Sequence, residues 1–150
     1  MKFFLIILLF AFCVLIATFV YMYYLIRKNL FGDMVYICKY LKNNISFNKN
    51  EINVLLTDSF QNINTSSKYI LKNNTKSISK IFTKEKKSLI NDFFKSLGKG
   101  DVNFEINNID YYLNNFENLE AKSKEEVKTK ALMYFKLIIG FGLILCILLI

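Results

Sequence analysis

Phe3–Ile26 reads FFLIILLFAFCVLIATFVYMYYLI, twenty-four residues without a charge. As an α-helix this run extends roughly 36 Å. That is enough to cross a hydrocarbon core of about 30 Å with some tilt. It closes on Tyr21, Tyr23 and Tyr24, and Arg27 and Lys28 follow. Amphipathic rings and then cations are what a membrane–water interface selects. A cleaved signal peptide is the rival reading. The run is too long for one, a single Lys2 precedes it, and no small-x-small cleavage site follows. The expectation is a retained transmembrane helix over residues 3–26.

Ala131–Ile150 forms a second apolar block, interrupted by Lys136. Its thirteen Leu, Ile and Phe residues each favour insertion by about 0.3–0.6 kcal/mol. One lysine costs at most about 3 kcal/mol at mid-membrane. Lys136 lies near the polar end of the block, where its stem can snorkel. The apolar side wins, and residues 131–150 are expected to form the second transmembrane helix, ending at the far interface. Gly140 and Gly142 within it either permit close helix approach or are neutral.

Between these blocks the chain is polar and rich in Lys and Asn. Residues 27–130 carry eighteen basic and twelve acidic side chains, a net +6 within the total of +8. Arg27, Lys28, Lys39 and Lys42 follow the first block, and Lys122, Lys124, Lys128 and Lys130 precede the second. The positive-inside rule therefore assigns residues 27–130 to the cytoplasm and both ends to the outside. A basic surface also suits nucleic acid. Two flanking apolar anchors favour a membrane instead, and no nucleic-acid partner is expected.

The middle segment reads as a helical bundle. The chain has no Pro and five Gly, so few positions force a break. Phe31, Met34, Val35, Cys38, Leu41 and Ile45 recur at helical spacing and continue the first helix. Asn48 and Glu51 have the spacing of a cap and its partner, ahead of Ile52, Leu55, Leu56 and Phe60. A weaker pattern places Tyr69, Ile70, Ile78, Ile81 and Phe82 on apolar faces, and 62–82 is the least defined stretch. Thr83 is a candidate cap for a helix carrying Leu89, Ile90, Phe93, Phe94 and Leu97. Gly98 supplies a left-handed C-terminal position. Asp101 is placed to cap a last helix bearing Val102, Ile106, Ile109, Leu113, Phe116 and Leu119. No breaker separates Leu119 from the second apolar block. One uninterrupted helix of roughly fifty residues, about 75 Å, is expected.

Several chemistries are excluded by composition. There is no His, so imidazole bases and Ser-His-Asp or Cys-His arrangements are ruled out. Gly98-Lys99-Gly100-Asp101 is too short to cradle a phosphate and reads as a turn. Glu117, Glu120, Glu125 and Glu126 alternate with lysines at helical spacing, a pattern of surface pairing. Cys13, Cys38 and Cys146 match no metal spacing and no disulfide framework, and read as small hydrophobes. Asn44, Asn64 and Asn73 fit a glycosylation pattern that an Asn-rich segment produces by chance. No enzyme, metal or cofactor is expected. Lys84, Lys86 and Lys87 cluster at a helix start. They form either a solvated face or a contact for an acidic partner or anionic lipid.

The arrangement resembles the stage III sporulation protein AB family. Leu97-Gly98-Lys99-Gly100-Asp101 with Glu105 is similar to that family's Leu-Gly-x-Ser-Asp-x-x-x-Gln signature. Gly100 stands at its Ser and Glu105 at its Gln. Ala131–Gly142 is similar to the family's Tyr-x-x-Leu-Gly-x-x-x-Gly ending. Leu41, Ile45 and Phe47 match its Leu-Glu-x-Glu-Ile-x-Tyr motif in outline, with Lys42 and Asn44 in place of its acids and Glu51 where it tends to have Pro.

The resemblance implies a bundle like the helical domain of the type II secretion F protein, flanked by the two spans. It implies a mother-cell membrane facing the forespore of an endospore-forming bacterium, and a channel-like complex with other subunits. It also implies a cytoplasmic partner, the ATPase stage III sporulation protein AA. The expected function is a non-enzymatic platform subunit docking that ATPase. The rival function is an anionic-lipid-binding or membrane-shaping protein. Stoichiometry and the partner-facing surface are not encoded in these patterns.

Overall fold

The protein is described by a computed structural model over residues 2–47, 52–72 and 82–149. Every regular element among these residues is helical. In chain order they are α1 (Lys2–Phe47), α2 (Ile52–Gln61), α3 (Thr65–Lys72), α4 (Lys84–Ser96) and α5 (Val102–Glu126). A π turn (Val127–Ala131) then leads into α6 (Leu132–Leu149). The expected cap pair Asn48 and Glu51 lies outside the described residues, as do Ile78, Ile81 and Asn73.

The chain divides into two units. One comprises Met1–Leu25 with Ser123–Ile150, the other Ile26–Lys122. Helix α1 contributes to both.

The Ile26–Lys122 unit is a bundle closed around a single core. On α1, Leu30, Phe31, Met34, Ile37, Cys38 and Leu41 are fully buried. Their three- and four-residue spacing puts them on one face. Helix α4 answers with Ile90 and Phe93, and α5 with Ile109 and Phe116. Phe93 is central: its ring meets Tyr112 at 5.3 Å and Phe116 at 5.6 Å, both edge-on. Phe31 meets Phe82 the same way at 5.1 Å. Each such ring contributes about 1.5–3 kcal/mol by leaving water, and edge contacts add roughly 0.5–1.5 kcal/mol. Gly32 lets α1 approach α5, because a Cβ there would sit 3.2 Å from Glu120 Oε1.

In α2, Leu55 is buried while Ile52, Leu56 and Phe60 pack at the core margin. Two expected core positions are instead exposed, Tyr69 at 66% and Val102 at 50%. In α3 the apolar face turns on Ile70 and Leu71, so Tyr69 points away. In α5 the buried face is Glu105, Ile109, Tyr112 and Phe116. Its centre lies one position from the expected stripe, and Ile106, Leu113 and Leu119 are its partly buried flank.

The other unit contains the first part of α1 and all of α6. Large apolar side chains on both are exposed, including Phe3, Phe12, Phe19, Leu137, Phe141 and Ile147. Both helices are long and apolar enough to cross a membrane. The expected long final helix is present, running as one helix of 48 residues over Val102–Leu149, and Val127–Ala131 within it widens into a π turn. Ser123, Val127 and Ala131 are all buried at four-residue steps. Such steps overshoot a 3.6-residue turn, and a wider i→i+5 turn keeps them on one side.

Candidate functional site

The family-type turn joins α4 to α5. Gly98 has φ +76°, the left-handed backbone that a Cβ disfavours. Two carboxylates then organise the start of α5. Asp101 Oδ1 accepts the Phe104 N–H at 2.8 Å, an N-cap satisfying one of the free first-turn amides. Glu105 reaches backward: its Oε1 accepts the Lys99 N–H at 2.8 Å and the Gly100 N–H at 3.1 Å. Glu105 is 2% exposed, and its Oε2 is buried without a hydrogen-bond partner among the described residues. One carboxylate oxygen therefore fixes the turn, and burial of the other opposes that stabilisation. Gln at this position would keep an oxygen for the two amides. On α4, Ser96 Oγ donates to the Phe93 carbonyl and accepts from Asn108 Nδ2 at 2.9 Å, tying the turn's two flanks together.

The expected role of Thr83 is corrected. It occupies the N-cap position of α4 in extended geometry, but its hydroxyl makes no capping hydrogen bond.

Lys84, Lys86 and Lys87 start α4, and the Leu97–Asp101 turn follows its end. Thirteen helical residues place these two candidate surfaces roughly 20 Å apart, so they do not form one site. The lysines also differ among themselves. Lys84 is exposed, whereas Lys86 and Lys87 are half-buried. The Lys86 ammonium sits 5.8 Å from the centroid of the Phe31 ring, within cation–π range.

Three polar links were not visible in local sequence patterns. Asp33, 8% exposed on α1, accepts from the Asn64 backbone N–H at 3.3 Å. Its two oxygens also accept from Asn64 Nδ2 at 3.0 Å each. This fastens the α2–α3 connection to α1. Lys42, which stands where the family motif has an acid, donates to both oxygens of Asp110 at 2.7 and 2.8 Å. Lys39 pairs with Glu117 at 2.8 Å. Hydrogen bonding and charge from Glu117 hold the Lys39 ammonium above its ordinary pKa. Burial first, and Glu117's charge second, push the Cys38 thiol up to about 12. That keeps Cys38 a protonated, inert core residue.

Beside the turn, α5 exposes Phe104 (52%) and Tyr111 (61%). Seven residues separate them, so they share one helix face.

A family model for stage III sporulation protein AB matches residues 61–150. That range includes the turn, both of its carboxylates and the second apolar helix. No curated protein and no solved structure matches the chain.

Proposed function

The chain belongs to the stage III sporulation protein AB family, and from that premise we propose that it is a membrane platform subunit of a sporulation complex whose bundle docks a cytoplasmic ATPase. The domains are residues 3–26 and 131–150 as membrane spans and residues 27–130 as the cytoplasmic bundle. The subunit sits in the mother-cell membrane facing the forespore, with the stage III sporulation protein AA ATPase as its partner.

One observation carries this reading: burial reverses along α1. Phe19 is 78% exposed, whereas Phe31 is fully buried on the same helix. Lipid is the solvent in which the first is stable, and water is the solvent that drives the second inside. The lysines beside both spans favour the cytoplasm for the bundle.

The surface best suited to the ATPase is the turn with Phe104 and Tyr111. Aromatic side chains exposed beside a rigid turn supply the anchors that interfaces concentrate on. The lipid-binding alternative depends on Lys84, Lys86 and Lys87. The contact of Lys86 with Phe31 and the partial burial of Lys87 leave that cluster a smaller cationic surface than its sequence promises.

The test is binding of the ATPase to the full chain in lipid nanodiscs. Micromolar binding, weakened about tenfold by Phe104→Glu or Tyr111→Glu, is expected. No binding at micromolar concentrations removes the docking role. Steeply salt-dependent binding to anionic vesicles, lost with Lys84→Gln and Lys87→Gln, would establish the alternative in its place.

A further inference from the structure

The unit of Met1–Leu25 with Ser123–Ile150 contains a groove that the platform role does not use. The two helices approach closely at Gly142, where a Cβ would stand 3.0 Å from Cys13 Cβ and 3.1 Å from its Sγ. Tyr21 meets Phe135 edge-on at 6.2 Å, and Tyr24 stacks on Tyr134 at 6.5 Å. Beside this contact lies a groove of about 820 Å³. Leu9, Phe12 and Ile16 line it from α1, and Lys136, Gly140 and Ile144 from α6.

Three features define what fits there. Lys136, Gly140 and Ile144 are four residues apart, so they form one stripe running down α6. Gly140 leaves the middle of the stripe open, since a Cβ there would meet nothing within 4 Å. Lys136 is the one charged residue in the lining, and it has no ion pair or hydrogen bond among the described residues.

Depth then fixes the polarity of the occupant. Tyr134 belongs to the interfacial ring belt, and Lys136 is two residues, about 3 Å, deeper. Its four-carbon stem returns the ammonium to headgroup level. The groove therefore presents a cation at the interface and an apolar trough running inward from it. That is the chemistry of an anionic phospholipid. An acidic transmembrane partner would have to carry its carboxylate into the bilayer, whereas lipid phosphate is already at the level of the ammonium.

We propose that this groove holds one acyl chain of an anionic phospholipid, with the phosphate on Lys136. The proposal rests on the reading of both apolar helices as membrane spans. A chain that stays soluble without detergent would defeat that reading before any lipid is added.

The experiment is native mass spectrometry of the full chain, delipidated in detergent, titrated with phosphatidylglycerol or with phosphatidylcholine of identical acyl chains. One lysine–headgroup contact predicts about fivefold tighter retention of phosphatidylglycerol. Lys136→Gln should abolish that preference, lowering phosphatidylglycerol retention more than that of phosphatidylcholine, whose choline offsets the phosphate charge. Gly140→Leu should fill the trough and lower retention of both lipids with the charge still present. Lys128→Gln, outside the groove, should change neither. Equal retention of the two lipids, a preference that survives Lys136→Gln, or unchanged retention of both lipids in Gly140→Leu overturns the proposal. A preference absent in the full chain, with Lys136→Gln instead breaking co-purification with another subunit, overturns it in favour of a protein occupant.

Discussion

Helix α1 satisfies two opposite rules within 46 residues. Between Phe3 and Phe19 its bulky apolar side chains are mostly exposed, reaching 78% at Phe19. Between Leu30 and Ile45 its aliphatic, Phe, Met and Cys side chains are buried at 0–8%, while Lys39 and Lys42 reach outward to carboxylates on α5. Backbone conformation does not distinguish the two halves. The surroundings do, since a helix apolar on all sides suits lipid and a one-sided helix suits a bundle in water. Helix geometry is thus common property, and the side-chain pattern alone states which solvent each half meets.

The sharpest contrast lies in the thiols. With its pKa raised to about 12 from 9.0, folded Cys38 should present about a thousandfold less thiolate than the unfolded chain near neutral pH. Alkylation by N-ethylmaleimide followed by peptide mapping should show Cys38 protected until urea opens the bundle. Rapid labelling of native Cys38 would mean the bundle half of α1 is not sealed. The sign for stability follows from the same shift. Between pH 9 and 12 the unfolded chain loses the thiol proton and the folded chain keeps it. Bundle stability should therefore be complete below about pH 9 and fall as pH rises through that window.

Truncation separates the halves next. Phe93→Ala removes the ring that meets Tyr112 and Phe116, and should cost about 3–5 kcal/mol of bundle stability in a urea titration of the full chain in nanodiscs. Phe19→Ala should leave the same midpoint within roughly 0.5 kcal/mol. Comparable losses at both sites would erase the distinction.

The turn sharpens the picture on a smaller scale. Glu105→Ala strands the Lys99 and Gly100 amides and should destabilise the bundle by about 1–3 kcal/mol. Glu105→Gln should recover most of that loss, because an oxygen still faces both amides. Equal effects of Ala and Gln would remove the hydrogen-bonding role. A small effect belongs to Lys42→Ala. Its pair with Asp110 has side chains 41% and 37% exposed, so a loss of about 0.2–1 kcal/mol is expected, shrinking in high salt.

Much of this was legible in the chain. The apolar runs announce themselves because a bilayer demands some twenty consecutive apolar residues. Asp101 and Gly98 were readable because caps and left-handed positions are local. What was hidden is what depends on the folded neighbourhood. Asp33 and Asn64 are 31 positions apart, and Lys42 and Asp110 are 68 apart. No local periodicity links such pairs. The structural role of Glu105 was concealed for a different reason: a carboxylate four residues into a helix has the pattern of a side chain facing water until its burial is known. The π turn contains neither Pro nor Gly, and its one trace is the four-residue step from Ser123 to Val127 to Ala131.

The central claim is tested most directly by spin labels placed singly at Phe19 and Tyr36 in a cysteine-free full chain reconstituted into vesicles. The label at position 19 should be relaxed by dissolved oxygen and shielded from a water-soluble nickel chelate, and the label at position 36 should show the reverse. The same accessibility ratio at both positions would contradict a helix that leaves lipid for a water-facing bundle.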